Sequence, residues 1–322
     1  MWVYLLRRLA YAVVLLLAVV SLNFLLIHIS PGDPVETIAG SMGGLSEELR
    51  AQLRTQYGLD KPFLVQLGVY LVQVLHGNLG HSYYFNLPVS DLILQRVPAT
   101  LLLVITSVVF AFLIGTLLGT LSARKPNGPL SQTITVIASV GYSAPVFWTG
   151  IVLIILFASI LPIFPVSDMR SPGAEGWGLA SILDVFNHLV LPAFTLAFVQ
   201  LAQYSRLARA SVMDALASDY IRTARAKGLS ERRVLYKHAL RNGILPVLTM
   251  LGMQFGNVLA GAILVETVFN WPGLGRLAFD SVLRRDYPTL LGILLFSSML
   301  VIIMNQLTDL AYRLVDPRIK TS

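Results

Sequence analysis

Few side chains in this chain are placed to do covalent chemistry. It has no cysteine, which excludes thiolate nucleophiles, disulfides and cysteine metal sites. Its five histidines (His28, His76, His81, His188, His238) stand at no metal-ligand spacing. No G-x-x-x-x-G-K-S/T run is present, so there is no P-loop to cradle nucleotide phosphates. Ser143, in Gly141-Tyr142-Ser143-Ala144, lies in an apolar run, but a nucleophilic serine needs a histidine base at the same depth. The remaining groups of interest are amides. Gln200 and Gln203 sit three apart in one apolar run, and Gln254 and Asn257 three apart in another, so each pair shares a helix face. Polar groups are costly in lipid and must face a polar cavity or one another. Both readings stay open: a polar path through a helix bundle, or hydrogen bonds between helices.

The elements that would carry these amides are membrane helices. Of 322 residues, 55% are apolar and 13% charged, and the mean hydropathy is +0.71. That balance describes an integral membrane protein with a single membrane domain. A span needs roughly 20 helical residues free of charge. The gaps between charges predict six spans, at about 9–30, 97–123, 133–160, 187–205, 244–266 and 288–310. Pro145 and Pro192 fall inside the third and fourth, as hinges or as static bends. Gly115 and Gly119 form a small-residue contact face on the second. The apolar stretch Phe63 to Leu75 is too short to span and reads as a helix on the membrane surface. It lies in a loop of residues 31–96 that also holds a polar helix over 46–58.

Lysine and arginine set the orientation. Sixteen fall on the side that holds both termini and eight on the other, and acids split 5 to 12 the opposite way. The bias predicts both termini in the cytoplasm. The net charge of +7 is thus partitioned by topology and is no nucleic-acid footprint.

The densest basic stretch is the loop 206–243, where nine Lys/Arg face three acids between Arg206 and Arg241. Ser218 is placed to cap a helix from Asp219, with Tyr220, Ile221 and Ala224 as its apolar stripe. Gly228 supplies a left-handed residue, Leu229 folds back on the last turn, and Ser230-Glu231 open a second helix running to Arg241. A capped helix–corner–helix reads as a docking element for a soluble partner, where a purely topological loop would need no such shape.

YIRTARAKGL (Tyr220 to Leu229), followed by HALRN and LP (Pro246), resembles the cytoplasmic signature loop of ABC-importer permeases in the dipeptide, oligopeptide and nickel branch. The general pattern of those permeases has Glu and Ala where this chain has Arg222 and Thr223, and its proline comes earlier than Pro246; both departures resemble that branch. PGDP (Pro31 to Pro34), GNLG (Gly77 to Gly80), ETVFNWPGLG (Glu266 to Gly275), RDYP (Arg285 to Pro288) and DPRIK (Asp316 to Lys320) extend the resemblance along nearly the whole chain, with 160–187 carrying no readable motif.

The resemblance implies an all-α membrane protein with the type I importer permease fold, in a bacterial inner membrane. It implies that Asp219, Tyr220, Arg222, Thr223, Ala224, Arg225, Ala226, Lys227, Gly228 and Leu229 form the helix that seats in an ATPase subunit. The implied partners are a second homologous permease chain, two ATPase subunits that hold ATP and magnesium, and an extracytoplasmic substrate-binding protein. No cofactor is expected on this chain. The implied function is ATP-driven import of dipeptides or oligopeptides, with nickel, glutathione or another small solute as the alternative. From other classes, an ion-coupled carrier would need an intramembrane carboxylate, and Glu266 stands only at an outer edge. An intramembrane serine protease built on Ser143 would need a base that His188, near the opposite end of its span, does not supply.

Overall fold

The structure, a computed structural model, describes residues 2–29, 46–48, 51, 55, 61–82, 84–174, 176 and 178–315. It describes their side chains except at 2–9, 26–29, 253, 255–261 and 307–315. The elements are α1 (Trp2–Ile29), α2 (Phe63–Leu75), the two-residue strands β1 (His81–Ser82) and β2 (Leu87–Pro88), α3 (Val89–Arg124), α4 (Pro129–Ser143) and α5 (Val146–Ile154), which runs into a π-helical turn at Ile155–Ile160. Then come α6 (Leu179–Leu216), α7 (Asp219–Ala226) and α8, which joins Glu231–Arg233, a π-helical turn Val234–Ala239, and Leu240–Gly243. Last are α9 (Leu245–Val268), α10 (Leu274–Leu283) and α11 (Tyr287–Val315).

Among the described residues α3, α6 and α11 are long and apolar enough to cross a membrane, and a fourth span counts if α4 and α5–π are one broken crossing. That pair bends by 108° at Ala144-Pro145. The proline is the cause: it has no N–H to donate, and its ring drives the preceding residue into extended backbone. Ala144 accordingly sits at ψ 133. Pro192 has no such effect, since α6 runs unbroken through it and buries it. The polar helix expected over 46–58 lies largely outside the described residues.

The chain divides into two compact units. The first holds Met1–Pro98 and Arg276–Ile303. Here Asp286 precedes α11 and accepts from Thr289 Oγ1 at 2.7 Å, an N-cap contact, and from Ser82 Oγ of the hairpin at 2.5 Å. Arg284 lies over the Tyr84 ring at 3.9 Å. Asn23 Nδ2 donates to the Leu291 carbonyl at 3.3 Å. α2 buries none of its residues, as a surface helix would.

The second unit, Ala99–Gly275 with Met304–Ser322, is organised on α6. Fifteen of its 38 residues are buried, all between His188 and Val212, and from His188 to Ser205 they fall on nearly every side, so α6 is an interior helix there rather than a one-sided one. Three apolar clusters follow one another along it. Leu189 and Leu196 pack with Leu103, Val108, Val265, Phe269 and Trp271. Leu201, Tyr204 and Ala208 pack with Ala111 and Val247. Val212 packs with Ile221, Ala224, Val234, Leu235 and Ala239. Gly115 and Gly119 of α3 let the α6 backbone approach as the small-residue pattern predicts. A Cβ at 115 would stand 2.7 Å from Tyr204 Cβ, and one at 119 would stand 2.7 Å from Ala208 Cβ.

Candidate functional site

The corner between α7 and α8 takes the shape its residue types imply. Gly228 has φ +73, which side-chain-bearing residues adopt only at a cost. Its N–H donates to Arg225 O at 2.9 Å, and Leu229 N–H reaches Ala224 O at 3.4 Å. These two bonds close the last turn of α7 as a Schellman motif. Leu229 packs on the cluster that buries Ile221 and Ala224, and through Val212 this cluster ties the corner to the end of α6. Arg225 spans the corner and donates to both carboxylate oxygens of Glu231, from Nε at 2.9 Å and Nη2 at 3.3 Å. This bidentate bond holds the Glu231 carboxyl below its ordinary range. Stability from a depressed carboxyl is present above the unfolded pKa and lost as pH falls through the folded one. The pair is therefore intact at neutral pH and opens only in acid.

Three details differ from expectation. Ser218 sits at the N-cap with extended backbone, yet its hydroxyl donates back to Ala215 O at 2.5 Å and makes no cap bond. Tyr220 is 40% exposed and leaves the apolar stripe to Ile221 and Ala224. An eight-residue helix buries only an i, i+3 pair, and 220 lies about 100° of turn away. The second helix is not regular: the π turn at 234–239 carries Val234, Leu235 and Ala239 inward together. The result is a surface of Asp219, Tyr220, Arg222, Thr223, Ala226 and Lys227, all exposed on a rigid corner.

Inside the bundle, Gln254 Nε2 of α9 donates to Gln203 Oε1 of α6 at 2.6 Å. Gln200, one turn earlier, is 7% exposed, and its Oε1 has no hydrogen-bond partner. Thr116 Oγ1 on α3 is buried in the same state. The side chain of Asn257 lies outside the described residues. The structure thus joins two of the four predicted amides and leaves a third with an unused acceptor.

The chain matches the family described as "Binding-protein-dependent transport system inner membrane component" over residues 115–321, and the N-terminal model of the same systems over 1–106. The chain belongs to this family. The permease is 41% identical to "Dipeptide transport system permease protein DppB" of Escherichia coli (strain K12), over 98% of both chains. It is 38% identical to "Oligopeptide transport system permease protein AppB" of Bacillus subtilis (strain 168), over 98% of this chain and 99% of that one. Its fold is that of a chain solved in inward-facing conformations of the MetNI methionine ABC transporter (TM-score 0.57, 16% identity, covering 70% of this chain and 96% of that one). The permease is a multi-pass inner-membrane transport component and not an enzyme. The Ser143 side chain makes no hydrogen bond among the described residues, whereas His188 Nδ1 is 2.8 Å from the Asp184 carbonyl.

The ETVFNWPGLG segment of the permease was readable only as a motif, and the structure supplies its physics. Glu266 is fully buried and accepts from Thr100 Oγ1 at 2.6 Å. That hydroxyl accepts in turn from Leu274 N–H at 2.8 Å, and Trp271 Nε1 donates to Ala99 O at 2.8 Å. A Cβ at Gly273 would overlap the Glu266 carboxylate. The unread stretch 160–187 also finds its anchor here, through Asp168 N–H to Phe269 O at 2.9 Å and Asn270 to the Asp168 side chain. Thr100→Val removes the hydroxyl and leaves a buried carboxylate one donor short. We expect a loss of about 1.5–3 kcal/mol, read as a melting point of the purified permease lower by roughly 3–12 °C. Thr100→Ser is expected to keep most of it. An unchanged melting point for Thr100→Val would remove the clamp assignment.

Proposed function

We propose that this permease is the pore-forming subunit of an ATP-driven importer of dipeptides or oligopeptides. The observation that carries the reading is full-length likeness to dipeptide and oligopeptide permeases, joined to a capped, exposed corner tied by packed side chains to the central helix. In this reading six spans cross the bacterial inner membrane, with both termini and the loop 206–243 in the cytoplasm. Residues 31–96 lie outside. A second homologous permease chain completes the pore, and its own loop gives two seats for two ATPase subunits, which hold ATP and magnesium. A substrate-binding protein delivers cargo to the outer face. Nucleotide acts by stabilising one conformation over the other. The corner transmits that preference to α6 because Val212, Ile221 and Val234 share one core.

The polar path runs along Gln200, Gln203, Gln254 and Asn257, with the break at Pro145 as a hinge; Pro192, inside a straight helix, is not one. Amide side chains suit a peptide path because they offer donors and acceptors to any main chain, whatever its side chains. The Gln203–Gln254 bond closes the path in this conformation. Gln254→Leu, alone or with Asn257→Leu, is expected to leave assembly intact and slow uptake about tenfold, the loss of one to two hydrogen bonds to cargo. Wild-type uptake rates would reduce these amides to helix–helix contacts.

The deciding experiment is ATP-driven uptake of a labelled dipeptide into vesicles holding this chain and its partners, with nickel as competitor. Uptake that needs ATP and ignores nickel is expected. ATP-dependent nickel accumulation without peptide uptake would overturn the cargo and keep the architecture.

A further inference from the structure

A second polar site lies outside the amide path. A cleft of about 450 Å³ opens between the end of α3, α4 and the second half of α6. Two arginines and one aspartate line it, Arg206, Arg209 and Asp214, between walls that are small at Ala138 and Ala210 and apolar at Ile134 and Met213. We propose that this cleft is a release site for a short zwitterionic peptide, with the arginines on its C-terminal carboxylate and Asp214 on its N-terminal ammonium.

The two arginines are held ready in different ways. Arg209 donates from Nη1 to Thr135 Oγ1 at 2.8 Å and from Nη2 to Pro126 O at 2.9 Å. A guanidinium has five N–H donors, so these anchors fix its plane and leave others for a carboxylate. Arg206 rests with Cζ 4.5 Å from the Tyr142 ring centroid, a cation–π contact that uses none of its donors. Asp214 is exposed, and its carboxylate forms no hydrogen bond or ion pair among the described residues. Arg209 and Asp214 are five positions apart on one helix, a rise of about 7.5 Å, and Arg206 and Asp214 about 12 Å. An extended dipeptide spans about 7 Å and a tripeptide about 10 Å. These are separations along the helix axis, and flexible side chains that line one cleft can adjust them to the two ends of such peptides, while the walls offer only small and apolar side chains between the charges. Weak, sequence-blind binding at charged ends is what a site that must let cargo go requires. A lipid phosphate would gain the arginines but face Asp214, so a singly anionic headgroup fits less well.

The inference rests on the peptide-import reading, and its test separates the two. The importer, assembled with its partners in lipid nanodiscs, is irradiated with the diazirine dipeptide alanyl-photoleucine, and the adducts are mapped by mass spectrometry. Adducts are expected at the α4 and α6 positions that line the cleft. Free alanyl-alanine should compete, and its N-acetylated, C-amidated form should not. Arg206→Gln is expected to lower labelling about tenfold, the loss of one charged hydrogen-bond partner. Asp214→Asn should do the same for the free dipeptide but not for an N-acetylated probe. Both side chains are exposed, so neither change threatens the fold. Equal competition by blocked and free peptides, or unchanged labelling in both variants, would overturn the site. Displacement of the probe by phospholipid and not by alanyl-alanine would reassign it to a headgroup. If the same preparation in vesicles imports dipeptide while the cleft stays unlabelled, this inference alone fails; if it imports none, the cargo reading fails first.

Discussion

Gly119→Val is expected to remove most of the folded permease from the membrane. A Cβ at 119 would overlap the Ser205 carbonyl and stand 2.7 Å from Ala208 Cβ and 2.9 Å from Arg209 N. All three are backbone or first side-chain atoms of one helix, so no rotamer change relieves the clash. α3 and α6 must separate, and their contact lies at the core of Ala111, Leu201, Tyr204 and Ala208. Overpacking a well-packed contact costs about 1–3 kcal/mol and more where nothing can yield, and valine adds three carbons where one already overlaps backbone. Against a total stability of about 5–15 kcal/mol, a cost at or above the top of that range removes a large share of the margin. The readouts are the yield of monodisperse protein in detergent and its melting point. Gly68→Ala in α2, where a Cβ meets nothing within 4 Å, is the control and is expected to change neither. A Gly119→Val protein that melts with the wild type would mean that α3 and α6 do not touch there.

Gly228→Val is expected to leave the permease inserted and folded but to uncouple it. The position is open, with nothing within 4 Å of an added Cβ, so the substitution clashes with no neighbour. Its whole cost comes from φ +73, a left-handed conformation that disfavours side chains by about 1–2 kcal/mol, and most for a β-branched one. Applied to the docked corner, that cost lowers its affinity for the ATPase seat by about five- to thirtyfold. Substrate-stimulated ATP hydrolysis by the assembled importer should fall accordingly, while the melting point drops by no more than roughly 2–8 °C. Gly228→Asn gives the decisive comparison, because asparagine tolerates the left-handed region and should restore most of the stimulation. Equal stimulation in the valine and wild-type proteins would show that the corner's geometry does not carry the coupling.

Much of this protein could be read without coordinates, because its signals are one-dimensional. The membrane class follows from how many residues are apolar, and the helix ends at the corner follow from Gly228, whose lack of a Cβ is a local property. The close approach at Gly115 and Gly119 was legible for the same reason: small residues four apart have little use on an exposed helix other than contact. Three other features depended on which segments meet in space. Pro145 and Pro192 read alike in sequence, yet the chain breaks by 108° at the first and runs straight through the second, since neighbours on nearly every side hold α6 in line. Glu266 read as an edge carboxylate, and only the return of the chain through Trp271 to Gly273 turns it into a buried clamp on Thr100. Arg206, Arg209 and Asp214 read as part of a basic loop, and only the packing of α4 against α6 encloses them in one cleft. Composition and local geometry are written residue by residue, so the sequence by itself determined the membrane class, the helix ends and the corner. Contacts between residues far apart in the chain depend on packing, so the break, the clamp and the cleft were decided only when the tertiary structure formed.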